Sequence, residues 1–157
     1  MKKNKVYLIE ETLLKNYNTY YKLAFSYVHN DTDAMDIVQE SAYKAIKNAN
    51  KLKDNKYVNT WIYKIVINQC KTFLSKNKYI QQDINDINIP FSDKYENIDL
   101  KNALKTLDND EKAIIILRFF EDLKIEDIAS ILDINVNTVK TKLYRCLKKL
   151  ESIIEEV

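Results

Sequence analysis

Glycine is absent from all 157 residues and proline occurs once, as Pro90. Phosphate-cradling loops, dinucleotide fingerprints and nucleophile elbows need glycine for φ > 0 or for close backbone approach, so those enzyme classes are excluded. Hairpin-rich β folds are disfavoured too, because their tight turns want Asn-Gly, Asp-Gly or Gly-X. Histidine occurs once, as His29, and the two cysteines, Cys70 and Cys146, lie far apart. A zinc site needs about four such ligands at close spacing, and none is gathered here. Two buried, reduced thiols are expected, with no metal and no cofactor. Long apolar runs are also missing: nothing approaches the ~18 residues of a membrane span, and no signal peptide is visible. A cytoplasmic location is therefore expected.

What is present is enough for a packed helical protein, with 46% hydrophobic and 31% charged residues. The net charge of +2 is unevenly spread. Residues 1–80 carry +7, residues 81–95 carry −2 and residues 96–157 carry −3. Within the last segment, residues 134–150 hold Lys140, Lys142, Arg145, Lys148 and Lys149 with no acid. Such asymmetry suits two modules that face a polyanion, although lysine-rich helices are common where lysine is abundant.

The polar stretch QQDINDINIPFSD (81–93) breaks the helical pattern. It is too long for a loop inside one compact domain and reads as a flexible linker with Ile84, Ile87, Ile89 and Phe91 free to dock. The expected fold is all-α: two small helical domains, 1–80 and 98–157, joined by a linker over 81–97. In the first, periodicity predicts a helix over 10–28 with Leu13, Leu14, Tyr17, Tyr21, Ala24, Phe25 and Val28 on one face. The cluster Asn30-Asp31-Thr32-Asp33 then offers a turn and an N-cap for a helix over 33–48. That helix turns Ala34, Ile37, Val38, Ala42, Ala45 and Ile46 inward. A Lys/Asn-rich loop (49–56) leads to a long helix ending near Lys76, with Val58, Trp61, Ile62, Ile65, Val66, Gln69, Phe73 and Leu74 in register. The second domain is expected to have four helices, beginning with Leu100, Ala103, Leu104 and Leu107. Asp108 and Glu111 form a capping box for the apolar stretch 113–120.

KIEDIASILDINVNTVKTKLYRCLKKL (124–150) has the layout of a helix-turn-helix. Ile128, Ala129 and Leu132 make the first helix apolar on one face, Ile134 fills the turn and Asn135 caps the second helix. Val139, Leu143, Cys146, Leu147 and Leu150 form its buried stripe. Asn137, Lys140, Thr141, Tyr144, Arg145 and Lys148 lie opposite, where such groups donate to phosphates and major-groove base edges. An ordinary helical hairpin with a solvated lysine face is the plain alternative. Two positions depart from the pattern: Asp133 stands where the turn usually has glycine, and Lys124 where the first helix usually has a Ser/Thr cap.

Three segments in order, LAFSYVHNDTDAMDIVQESAYKAI (23–46), YVNTWIYKIVINQC (57–70) and LRFFEDLKIEDIASIL…NTVKTKLYRCLKKL (117–150), resemble the extracytoplasmic-function (ECF) sigma factors. These are the smallest branch of the sigma-70 family of RNA polymerase specificity subunits. The LAFSYV, DIVQES and LRFFEDL wording is most similar to the sigma-V type of low-GC Gram-positive bacteria. The resemblance implies a non-enzyme that gives core RNA polymerase its promoter specificity in a cell-envelope stress response. It also implies control by a membrane-anchored anti-sigma factor, the chain being a monomer when free or 1:1 with that partner.

Carried over residue by residue, the resemblance gives the acid face of DAMDIVQES to core polymerase, through Asp33, Asp36, Gln39 and Glu40. Read as residues alone, the same face is also compatible with a solvated surface on which Glu40 pairs with Lys44. The loop and helix after it match the part that opens and reads the −10 element, offering Asn48, Asn50, Lys53, Asn55, Tyr57, Asn59, Tyr63, Lys64, Asn68 and Lys71. Opening DNA needs amides or aromatics to hold an unstacked base and cations along the backbone. Thr72 and Ser75 stand where the family usually has an acid and an arginine. The second helix of the helix-turn-helix matches the −35 reader, with Lys140, Thr141 and Arg145 foremost and Asn137, Thr138, Lys142, Tyr144 and Lys148 beside them. A conventional dimeric regulator would explain the helix-turn-helix but not the two earlier segments. A helical adaptor without DNA binding would leave the acid-free helix as an accident of lysine-rich composition.

Overall fold

A computed structural model describes residues 2–77 and 106–155, with side chains over 4–77 and 106–152. The chain divides into two compact units, Met1–Ile87 and Asn88–Val157. All regular structure among the described residues is helical. The expected linker 81–97 and the expected helix around Leu100, Ala103 and Leu104 lie outside the described residues.

The first unit contains α1 (Lys2–Lys15), α2 (Tyr17–Val28), α3 (Asp31–Lys47) and α4 (Val58–Lys76). Where one helix was expected over 10–28, there are two, separated at Asn16. Its backbone leaves helical geometry at φ −109°, ψ 17°, and its carbonyl restarts the ladder by accepting from the Thr19 and Tyr20 N–H groups at 3.0 and 3.1 Å. Asparagine suits such a junction because its side chain competes with regular helix bonding. The break also shifts the phase of the apolar stripe. Leu14 and Tyr17, expected inside, are therefore 82% and 42% exposed, while Ile9 and Tyr20 are fully buried.

His29 ends α2 in the left-handed region (φ 57°), and its N–H returns to the Phe25 carbonyl at 2.8 Å. Asn30 then caps α3 as expected, its side chain accepting from the Asp33 N–H at 2.9 Å. Asp31 and Asp33 in the first turn suit the positive helix end. α3 buries Ala34, Ile37, Val38, Ser41 and Ala45. Ser41 is tolerated inside because its hydroxyl donates to the Ile37 carbonyl at 2.7 Å. Ile46, one step round the helix from that stripe, is 37% exposed rather than inward. Helices α2, α3 and α4 pack on one another, and α1 lies against α3, α4 and a 3-10 turn at Ala49–Lys51.

The second unit contains α5 (Asn109–Ile115), α6 (Ile125–Leu132) and α7 (Val136–Glu155). The Asp108–Glu111 capping box is formed in both directions: Asp108 accepts from the Glu111 N–H at 2.7 Å and Glu111 accepts from the Asp108 N–H at 3.2 Å. The apolar run after α5 widens into a π-helical turn, Ile116–Phe120. Its exit is held by the Arg118 guanidinium, which donates to the Leu123 carbonyl at 2.9 Å. Leu107, Ile115 and Cys146 form a core against which Leu143 and Leu150 pack. Leu147, expected in this stripe, is 41% exposed because it lies one residue past Cys146 on the helix.

Candidate nucleic-acid interface

The turn between α6 and α7 is built by local chemistry. α6 starts at Lys124 with no side-chain cap, and Glu126 and Asp127 in its first turn meet the positive helix end instead. It stops at Asp133, which takes up the left-handed conformation (φ 56°, ψ 45°). That is the glycine position foreseen from the sequence, and Asp is among the residues that tolerate it. The Ile134 N–H then returns to the Ala129 carbonyl at 3.1 Å. Asn135 caps α7: its Oδ1 accepts from the Thr138 N–H at 2.9 Å and from the Thr138 hydroxyl at 3.2 Å. Ile128, Ala129, Leu132 and Val139 seal the helix crossing.

This arrangement leaves Asn137, Lys140, Thr141, Tyr144, Arg145 and Lys148 exposed on α7, with Thr138 half-buried. Asn135, Asn137, Thr138, Thr141, Lys142 and Arg145 line a concavity of about 280 Å³. The Lys148 ammonium sits over the Tyr144 ring, 4.9 Å from its centroid, which holds both side chains at the surface. Lys142 departs from the expectation. It is half-buried, with its ammonium 3.6 Å from the Asp108 carboxylate, so it braces α7 against the α5 cap. The side chains of this face can give cations, hydroxyls and amides to a polyanion and to base edges.

In the first unit the loop after α3 consists of two 3-10 turns, Ala49–Lys51 and Asn55–Tyr57. Leu52 anchors it, being only 2% exposed. Asn50, Lys53, Asn55 and Tyr57 are exposed around that anchor, as are Asn68 and Lys71 on α4. Asn48 is half-buried, and its amide donates to the Lys44 carbonyl at 2.9 Å. Asn59 and Lys64 are half-buried, and Asn59 accepts from the Asn16 amide at 3.2 Å.

Tyr63 requires a correction. It is fully buried, edge-to-face against Tyr20 with ring centroids 5.1 Å apart. Tyr63 continues through Ile67, Cys70 and Leu74 at helical spacing, all buried. Its ring belongs to the core and has no surface to offer an unstacked base. Trp61, expected in the core, is only half-buried.

On α3, Asp36, Gln39 and Glu40 are exposed and Asp33 is half-buried. Burial, followed by repulsion from Asp36, pushes the Asp33 carboxyl above its ordinary pKa. Tyr21 donates to Asp31 beside it, and burial together with that bond pushes the phenol up to about 12. The acid face thus holds closely spaced negative charge that a cation would relieve.

Comparison with known proteins decides the family. Residues 13–79 match the model for Sigma-70 region 2 and residues 98–150 the model for Sigma-70, region 4. RNA polymerase sigma factor SigV of Bacillus subtilis is 48% identical over 134 residues, covering 82% of this chain and 80% of that protein. The chain belongs to the ECF sigma factors. The ECF RNA polymerase sigma-E factor of Haemophilus influenzae is 29% identical over 78% of this chain and 75% of its own length. Among solved structures, RpoE of Bartonella quintana bound to the anti-sigma factor NepR has a TM-score of 0.76 at 23% identity, covering 93% of this chain and 96% of that one. CnrH bound to the cytosolic domain of CnrY has a TM-score of 0.64 at 15% identity, covering 94% and 88%. These two agree with the all-helical fold.

Two features of this sigma factor escaped the sequence reading. The first is a set of exposed apolar side chains on α3, Met35 at 39%, Tyr43 at 59% and Ile46 at 37%, which run beside the acids. Their spacing through Gln39 was visible in the sequence. The second is the reach of Glu111 beyond its capping box: only 4% exposed, it receives the Cys146 thiol at 3.0 Å and lies 3.6 Å from the Lys149 ammonium. Burial alone would raise its pKa, but the bonds from Cys146 and the Asp108 N–H and the charge of Lys149 carry it below the ordinary value. Nothing local in the sequence announces contacts that span 35 residues.

Proposed function

We propose that this sigma factor directs core RNA polymerase to its promoters through three surfaces. The exposed face of α7 reads the −35 element, with Lys140, Thr141 and Arg145 foremost and Asn137, Thr138, Tyr144 and Lys148 around them. The 49–57 loop and the outer side of α4 hold and open the −10 element, through Asn50, Lys53, Asn55, Tyr57, Asn59, Lys64, Asn68 and Lys71. Asp33, Asp36, Gln39 and Glu40 on α3 dock on a basic surface of the core enzyme. Residues 1–80 and 98–157 act as the two domains and 81–97 as the linker. The chain makes no bond itself, because the polymerase active site makes the RNA. Work on the chromosome places it in the cytoplasm, and no helix among the described residues is long and apolar enough to cross a membrane.

One observation carries this reading. The αL turn at Asp133 and the Asn135 cap present an acid-free helix face, Asn137 to Lys148, away from the core of the second unit. We further propose, from the family resemblance, control by an anti-sigma factor that is membrane-anchored and acts in an envelope stress response. The RpoE–NepR complex, in which a sigma factor of similar fold is bound by an anti-sigma factor, supports the anti-sigma part of that reading. Such a partner would bind this chain 1:1 and cover the α3 and α7 faces, leaving a monomer when released.

The test is run-off transcription with purified core polymerase on a fragment upstream of the chain's own gene. Lys140→Ala combined with Arg145→Ala should abolish the transcript while the protein still co-purifies with core. Unaltered transcription by that double variant would remove α7 from −35 recognition.

A further inference from the structure

α1 contributes none of the side chains assigned above to DNA or polymerase, yet it is tied to the 49–57 loop through Lys5, and the Asn16 junction that follows it is tied to the start of α4. The Lys5 ammonium donates to the Leu52 carbonyl at 2.5 Å, a contact across 47 residues. Leu52 is the buried anchor of that loop: it lies between the two 3-10 turns, in extended geometry (φ −71°, ψ 106°), with its own N–H on the Ala49 carbonyl at 3.2 Å. Its side chain is buried while Lys53, Asp54 and Asn55 next to it are exposed. A cation on the Leu52 carbonyl therefore fixes the peptide from which the exposed residues project. Just past the other end of α1, the Asn16 amide donates to Asn59 Oδ1 at 3.2 Å, orienting the half-buried side-chain amide in the first turn of α4. Asn16 can do this because the helix breaks there, and Ile9, fully buried, fastens α1 between the two contacts.

We propose that α1 and the Asn16 junction after it are a positioning element for −10 recognition, Lys5 setting the pose of the 49–57 loop and Asn16 that of Asn59. The inference rests on the reading that this loop holds the −10 element. Base discrimination then depends on a residue that touches no DNA. Loss of the Lys5 contact frees the Leu52 peptide to rotate, so the loop still binds DNA but selects bases less sharply and opens the duplex less readily.

The experiment uses the full chain with core polymerase on a template pool randomised across the −10 region. Transcripts are sequenced, and output is also read on a pre-opened bubble template. Lys5→Met keeps the aliphatic stem and removes the cation. It should flatten the base preference by about five-fold, the factor expected for one hydrogen bond, with most of the output recovered on the bubble template. Lys5→Arg should restore the wild-type preference, and Asn16→Ala should shift preference in the same direction as Lys5→Met. Lys53→Ala and Asn55→Ala report on the loop itself. Output lowered equally on every template, the bubble included, would mean that Lys5 serves stability alone and would overturn the proposal. Preferences unchanged in Lys5→Met but altered in the loop variants would overturn the brace and spare the loop. Preferences unchanged in all of them would overturn the loop reading and the brace with it.

Discussion

Replacing Glu111 with alanine removes a side chain that serves α5 and α7 together. The Asp108 carboxylate would still accept the Glu111 N–H at 2.7 Å, so half of the capping box survives. The return bond to the Asp108 N–H, 3.2 Å, is lost, at about 1 kcal/mol. The one methylene that alanine lacks, Cγ, contributes about 0.8 kcal/mol. The buried Cys146 thiol loses its acceptor, a weak bond worth about 0.5 kcal/mol. The Lys149 pair adds at most a few tenths of a kcal/mol, because that lysine side chain is 38% exposed. Relief from burying a carboxylate returns about 1 kcal/mol. The net expectation is a loss of about 1.5 kcal/mol in urea denaturation of the full chain, with an unchanged m value. Glu111→Gln, which keeps the shape and an acceptor oxygen, should cost about half as much.

Thiol labelling makes the assay local. Both cysteines are free and buried, and burial pushes each thiol up to about 12. In Glu111→Ala, Cys146 should react faster while Cys70, in the other unit, keeps its wild-type rate as an internal control. A loss below about 0.5 kcal/mol, the ordinary scatter of surface substitutions, with Cys146 labelling unchanged, would refute the claim that Glu111 clamps α7.

Three further outcomes are expected. Because the folded-state pKa of Glu111 is lowered, its contribution is complete above the unfolded value of about 4.3 and is lost as pH falls through the folded value; acid titration of stability should show a shallower limb in Glu111→Gln. Asp133 holds φ 56° without being glycine, so Asp133→Gly should raise stability by about 0.5–1 kcal/mol and Asp133→Val should lower it, both read by thermal unfolding. Tyr63→Phe should leave −10 melting intact by permanganate footprinting, whereas Tyr63→Ala should lose about 3–5 kcal/mol of stability, the pattern of a core ring rather than a base platform.

The parts legible in the sequence were those fixed by near neighbours. The Asn30 and Asn135 caps, the Asp108–Glu111 box and the αL turn at Asp133 each depend on groups within a few residues. The apolar stripes located the helices but not their rotation. One break at Asn16 was enough to turn Leu14 and Tyr17 outward, and Tyr63 looked like a DNA ligand until its phase with Ile67 and Cys70 was seen. Lys142 reads as part of a cationic face on the helical wheel, yet its ammonium faces Asp108, 34 residues earlier. Contacts such as Lys5 to Leu52 and Cys146 to Glu111 are products of packing and carry no local signature.

The central claim, that this chain confers promoter-specific initiation, is tested most directly by transcription with purified core polymerase in its presence and absence. The account predicts a discrete start on the fragment upstream of its own gene only when the chain is present, and no footprint of the chain alone on that duplex. A footprint without polymerase, and no chain-dependent transcript on any template, would contradict it and leave a conventional duplex-binding regulator in its place.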